Sequence, residues 1–197
     1  EISAGWRLNS GGAHLVYDIH PDIAVFAKGM SNGYPMAAVI GKSSFMEAAQ
    51  KSFISSTYWT DMVGPVAAMA TIKKFNRVKA HEKMIFAGKQ LKQLWIELGL
   101  KHGLDIHVSG IDPIAHFVFD YNDPLVLKTL YTQLMLERGI LASTAFYASF
   151  AHQEPEIKLY RKACDETFKI ISEAIQTGTP QSYLKGPVCH SGFERLT

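Results

Sequence analysis

The sequence predicts a mixed α/β fold, on three observations. Pro21 to Ala27 is a short apolar run entered through turn residues. It is too short for a stable helix and reads as a buried strand. Phe117 and Phe119 alternate with His116, Val118 and Asp120, the period of a strand with unlike faces. Ile157, Tyr160, Cys164, Phe168, Ile171 and Ile175 recur at the spacing of one helix face. Strands and long helices interleaved in this order indicate α/β or α+β layers.

Taken in order, the strand at Pro21–Ala27 ends at Lys28, and Gly29, Asn32-Gly33 and Pro35 then mark a loop with special backbone needs. Met36 to Ile40 is the next strand, stopped by Gly41. Ser43-Ser44 are placed to cap a short helix from Phe45 to Gln50. Phe53 to Gly64 is a hydroxyl-rich loop, and Pro65 suits the first turn of the helix after it. Ala68, Met69, Ile72, Phe75 and Val78 form the expected inward stripe of that helix. A second helix is expected from His81 to Leu98, ending near Gly99 or Gly103. The expected strands that follow are Leu104–Val108 and Ile114–Asp120. Asp123-Pro124 opens a helix that reaches Glu137 and stops at Gly139. Ile140-Leu141-Ala142 is expected as a short strand. Glu154-Pro155-Glu156 starts the last long helix, and the tail from Tyr183 is irregular. A domain junction is expected within residues 76–90.

Composition narrows the function. The 197 residues are 47% hydrophobic and 19% charged, with a mean hydropathy of +0.01. That is a globular composition, unlike disordered, collagen-like or disulfide-stapled chains. Twenty Lys+Arg against 18 Asp+Glu leave a net charge of +2, too little cationic surplus for a nucleic-acid footprint. The two cysteines, Cys164 and Cys189, lack metal-ligand spacing and make no disulfide framework, which points to a reducing compartment, the cytoplasm. No apolar run approaches a membrane span, and no leader pattern opens the chain. The first residue is Glu1, not Met, so the chain is expected to be a piece of a longer protein.

The candidate chemistry centres on Lys28. A lysine at the carboxyl end of an apolar strand, before a glycine-containing loop, faces a low-dielectric site that disfavours the ammonium. A neutral amine attacks carbonyls and forms Schiff bases. On position alone, a lysine that snorkels to solvent is the preferred reading. Ser55-Ser56-Thr57 precede a helix, where hydroxyls and free N–H groups can hold a phosphate, or simply cap the helix. Asp18, His20 and Asp22 serve turn chemistry better than a metal. His14, His102, His107, His116 and His152 match no zinc pattern. Cys189-His190 are adjacent on an irregular tail, a poor arrangement for a nucleophile and its base. Neither a phosphate-binding P-loop nor a nucleophile elbow is present.

The stretch from Pro21 to Gly41, PDIAVFAKGMSNGYPMAAVIG, resembles the cofactor-lysine segment of class III pyridoxal-phosphate aminotransferases. Glu1 with Gly5-Trp6-Arg7 is similar to the segment upstream of it. Ser55-Ser56-Thr57 with Gly64 to Ala68 is similar to the phosphate-contacting threonine and its helix. Glu137 to Ala142, then Phe150-Ala151-His152 and the closing helix, resemble the glutamate-1-semialdehyde aminomutase branch.

The resemblance implies fold type I of pyridoxal-phosphate enzymes. Residues 1–85 would be the C-terminal part of the large cofactor domain, and residues 86–197 the small C-terminal α+β domain. Lys28 would form the Schiff base with pyridoxal phosphate and move a proton between the substrate α-carbon and cofactor C4′. Thr57 would bind the cofactor phosphate across the interface of a homodimer. The partners implied are a small amino donor and a carbonyl acceptor, with neither nucleic acid nor membrane. Of the family's Asp-Glu pair only Glu1 is in the sequence, so this C-terminal half is expected not to catalyse efficiently alone. Asn32 to Pro35, and Ser55 to Asp61, depart from the aminomutase pattern, which favours transfer between two substrates. The internal mutase reaction is the alternative, and a non-catalytic fragment is the reading from another class. A substrate carboxylate would be expected on an arginine, from among Arg7, Arg77, Arg138, Arg161 and Arg195.

Overall fold

The computed structural model describes residues 1–192. The chain divides into two compact units, Glu1–Ile85 and Phe86–Thr197.

In the first unit, strands β1 (Ile23–Phe26) and β2 (Ala38–Gly41) pair antiparallel, with Ile23 opposite Gly41 and Phe26 opposite Ala38. A 3-10 turn, Lys28–Ser31, follows β1 after Ala27. Helix α1 (Ser43–Met46) runs into a 3-10 turn over Glu47–Lys51. Its N-cap position is Lys42, without a side-chain cap bond, so the expected serine cap is not made. Helix α2 (Val63–Val78) starts after a loop and carries Pro65 in its first turn, where a missing N–H is harmless. Asp61 accepts a hydrogen bond from the Val63 amide at 2.8 Å, satisfying one orphan donor of that helix end. Phe26, Met30 and Ala68 form the buried centre of this unit, with Trp6, Ala24, Met36, Ala38 and Ile72 packed around them. Met69, expected on the inward stripe, is instead 74% exposed.

Helix α3 (Ala80–His102) contains the division between the units and stops before Gly103, the later of its two expected ends. In the second unit, strands β3 (Ile106–Ile111) and β4 (Ile114–Phe119) form a tight hairpin, and β5 (Ala145–Tyr147) pairs antiparallel with the other side of β4. Ile111 faces Ile114 across the turn and Ile106 faces Phe119 at the far end. Gly110 holds φ +88°, and a Cβ there would stand 2.3 Å from the Ile114 carbonyl oxygen, so only glycine fits. The residues expected as a strand, Ile140 to Ala142, are not one. The ladder partner of β4 is three residues further on, where Tyr147 lies opposite Ile114.

Helices α4 (Pro124–Glu137) and α5 (Glu154–Gln176) complete this unit. A capping box of Gln153 and Glu156 starts α5, tying up two N-terminal amides. Phe117 and Phe119 point inward from β4, as the alternation predicts, and pack with Trp95, Tyr131 and Phe168. The polar tips inside this core pair with each other. Trp95 Nε1 donates to Tyr160 Oη at 2.9 Å, and the Tyr131 and Tyr160 hydroxyls share a 2.5 Å bond. Burial raises the pKa of both phenols well above the ordinary tyrosine range. Among the described residues, no helix is long and apolar enough to cross a membrane.

Candidate active site

Lys28 follows β1 at the strand's carboxyl end, separated from Phe26 by Ala27. Its backbone sits in the left-handed region, φ +46°. For a residue with a Cβ that conformation costs about 1–2 kcal/mol, and it persists only where the surroundings fix it. They do so here. Met30, two residues on, is anchored in the buried centre of the first unit. Ser31 is fully buried, and its hydroxyl donates to the Tyr34 carbonyl at 2.5 Å. The turn after the strand is therefore held at both ends, and Lys28 is presented from it.

The Lys28 side chain is exposed, and Nζ donates to Ser3 Oγ at 2.7 Å. The low-dielectric surroundings expected for this amine are thus not supplied by the described residues. Phe26 at the end of β1 is buried, but two residues on, Lys28 is exposed. Among the described residues no carboxylate pairs with Nζ, so its partner is a neutral hydroxyl.

The segment before β1 is packed onto the strand. Gly5 is buried, and a Cβ on it would meet Phe26 Cδ1 at 2.6 Å. The Glu1 carboxylate accepts from the Ala13 amide, from the His14 amide at 3.0 Å and from His14 Nδ1 at 2.5 Å. Burial alone would raise the Glu1 pKa, but the bonds from His14 and Ala13 outweigh it and hold the group below its ordinary value.

The other sequence candidates fall elsewhere. Ser55, Ser56 and Thr57 lie on the exposed loop before α2; Ser56 Oγ accepts from the Tyr58 amide, and Thr57 has no hydrogen-bond partner among the described residues. His20 pairs with Asp18 at 3.1 Å and Asp22 with Lys42 at 2.7 Å, both at the surface. The described residues hold no cluster that could bind a metal. The Cys189 thiol points to the Leu125 carbonyl at 3.8 Å, and the Cys189 amide donates to Thr129 Oγ1. Arg138 pairs with Glu166 at 3.0 Å and Arg161 with Glu97 at 2.8 Å. Arg7 donates from Nε to the Ser3 carbonyl at 2.7 Å, Arg77 is exposed on α2, and Arg195 lies outside the described residues. Sequence reasoning did not single out Ser3. It is 25 positions from Lys28, and no local pattern announces their meeting.

The family profile described as Aminotransferase class-III matches residues 1–175. This chain belongs to the class III aminotransferases. The 3-aminobutyryl-CoA aminotransferase of Cloacimonas acidaminovorans is 31% identical over 140 residues, covering 68% of this chain and 34% of that protein. The glutamate-1-semialdehyde 2,1-aminomutase of Methanosphaera stadtmanae is 23% identical over 160 residues, covering 75% of this chain and 38% of its own length. Among solved structures, the FumI protein of Sphingopyxis sp. MTA144, in its PLP internal aldimine form, superposes with a TM-score of 0.83 at 22% identity. That match covers 93% of this chain and 45% of the FumI chain, and it gives the fold as fold type I of pyridoxal-phosphate transferases. The chain thus spans less than half the length of these relatives. Pyridoxal phosphate is the cofactor of the family, and the residues present fit its aldehyde end. Lys28 offers an exposed amine, on a fixed turn, with only a hydroxyl to leave.

Proposed function

We propose that the whole protein transfers an amino group between a small amino donor and a keto acid or aldehyde, with Lys28 as the residue that holds pyridoxal phosphate. The observation that carries this reading is the strained left-handed turn that presents the Lys28 amine from the end of β1. Lys79 adopts the same conformation where it closes α2, so what sets Lys28 apart is that its strained turn stands at the carboxyl end of a strand.

When bound, pyridoxal phosphate supplies an aldehyde for amines and a conjugated ring that takes up electrons from the substrate α-carbon. Lys28 Nζ would hold the cofactor and would serve as base and acid for the proton of the substrate α-carbon. The exposed Thr57 hydroxyl is the phosphate ligand in this reading, reaching the cofactor of a partner subunit in a homodimer. Arg77, exposed on α2, suits a substrate carboxylate better than Arg138 or Arg161, which already pair with glutamates. A cytoplasmic location accords with the two free cysteines.

The aminomutase relatives support a second reading, an internal transfer of the amino group within one substrate. Supplying donor and acceptor separately to the full-length protein distinguishes the two, because the mutase turns over without an external acceptor. The test of the lysine itself is borohydride reduction with pyridoxal phosphate followed by peptide mass spectrometry. An adduct concentrated on Lys28 is expected. Labelling spread over the surface lysines would leave a non-catalytic relative as the better account.

A further inference from the structure

We propose that Ser3 is a positioning residue for Lys28: its hydroxyl receives the lysine amine and orients it at the end of β1. This deepens the reading of Lys28 as the cofactor amine and rests on it.

The argument starts from the bond itself, Lys28 Nζ to Ser3 Oγ at 2.7 Å. A lysine side chain has four rotatable bonds, and holding its tip at one point opposes considerable rotamer entropy. The partner must therefore be fixed. Ser3 is fixed by contacts independent of Lys28. Arg7 Nε donates to the Ser3 carbonyl at 2.7 Å, and the Gly5 amide donates to the Glu1 carbonyl at 2.9 Å, closing a turn around Ser3. Gly5 in turn lies against Phe26, two residues before Lys28. The hydroxyl and the amine thus belong to two segments locked together beside their point of contact.

The chemistry of the partner matters as much as its place. A serine hydroxyl both accepts and donates, so it can hold the ammonium or the neutral amine. A carboxylate at the same point would favour the ammonium, the form that cannot attack an aldehyde.

The test uses the full chain and two aldehydes, with Lys73 and Lys74, exposed on α2, as internal standards. Formaldehyde with cyanoborohydride reports how readily the amine is deprotonated. Ser3→Asp is expected to slow methylation of Lys28 at pH 7 about tenfold relative to the standards. Pyridoxal phosphate with borohydride reports orientation. Ser3→Ala is expected to lose several-fold of the preference for Lys28, and Ser3→Thr, which keeps the hydroxyl, to retain it. Wild-type rates for Ser3→Asp with formaldehyde would overturn the pairing, as would a Ser3→Thr variant as impaired as Ser3→Ala. If pyridoxal phosphate shows no preference for Lys28 in the unsubstituted chain, the reading of Lys28 as the cofactor amine falls. The formaldehyde arm still decides the Ser3 pairing in that event.

Discussion

The α-carbon of Gly5 lies against the ring of Phe26, so close that a methyl there would stand 2.6 Å from Cδ1. This contact fastens the segment carrying Ser3 to the strand that leads to Lys28. Gly5→Ala is expected to destabilise the chain by about 1–3 kcal/mol, because the Phe26 ring is buried and cannot move without displacing its neighbours. Urea unfolding checks it. An unchanged midpoint would mean that the two segments adjust independently.

The left-handed backbone of Lys28 makes a prediction of the opposite sign. Lys28→Gly is expected to be more stable than Lys28→Ala by about 1 kcal/mol, since glycine adopts φ +46° without the Cβ penalty. Comparing these two variants cancels the loss of the amine and of its bond to Ser3. Equal urea midpoints would remove the strain from the argument for function.

In the second unit, Asp165 accepts from Lys101 Nζ at 2.7 Å and from His102 Nε2 at 2.6 Å. The Lys101 bond first, then the His102 bond, hold its carboxyl below the ordinary aspartate value of 3.8. A depressed folded-state pKa means stability that is present above that value and lost as pH falls below it, through the folded pKa. Unfolding midpoints measured from pH 6 down to pH 2 are expected to fall less steeply for Asp165→Asn than for the unsubstituted chain. Parallel curves would show that the pair contributes nothing to acid sensitivity.

The two thiols are expected to react differently. Burial pushes Cys164 up to about 12, so almost none of it is thiolate at neutral pH. Cys189 is only partly buried. Iodoacetamide at pH 8 is expected to modify Cys189 in the native chain and Cys164 only after unfolding, as read by peptide mass spectrometry. Equal rates would contradict the packing around Tyr131 and Tyr160.

Much of the architecture was legible because burial imposes periods. The run at Ile23–Phe26, the alternation through Phe117 and Phe119, and the stripe of Cys164, Phe168 and Ile171 all state which face is covered. The misses have a common cause, which is that a period does not say what partner is available. Ile140 to Ala142 has strand-like residues, yet the edge of β4 is taken by Ala145–Tyr147, and pairing decides strand formation. Met69 has the right spacing for an inward face, but the first unit covers only the Ala68 and Phe75 side of α2. Lys28 was legible as a residue type at a strand end and by resemblance. Its left-handed turn and the hydroxyl of Ser3 were not, because both depend on contacts between distant segments.

The hairpin of β3 and β4 also sets a limit on how this sequence can drift. Gly110 lies so near the Ile114 carbonyl that the bend accepts neither a side chain nor a change in span. A single inserted residue that shifted the strand pairing would invert β4, sending Phe117 and Phe119 to solvent and His116 into the aromatic core. Natural variation in length should therefore gather in other connections of this unit and leave this bend at constant length.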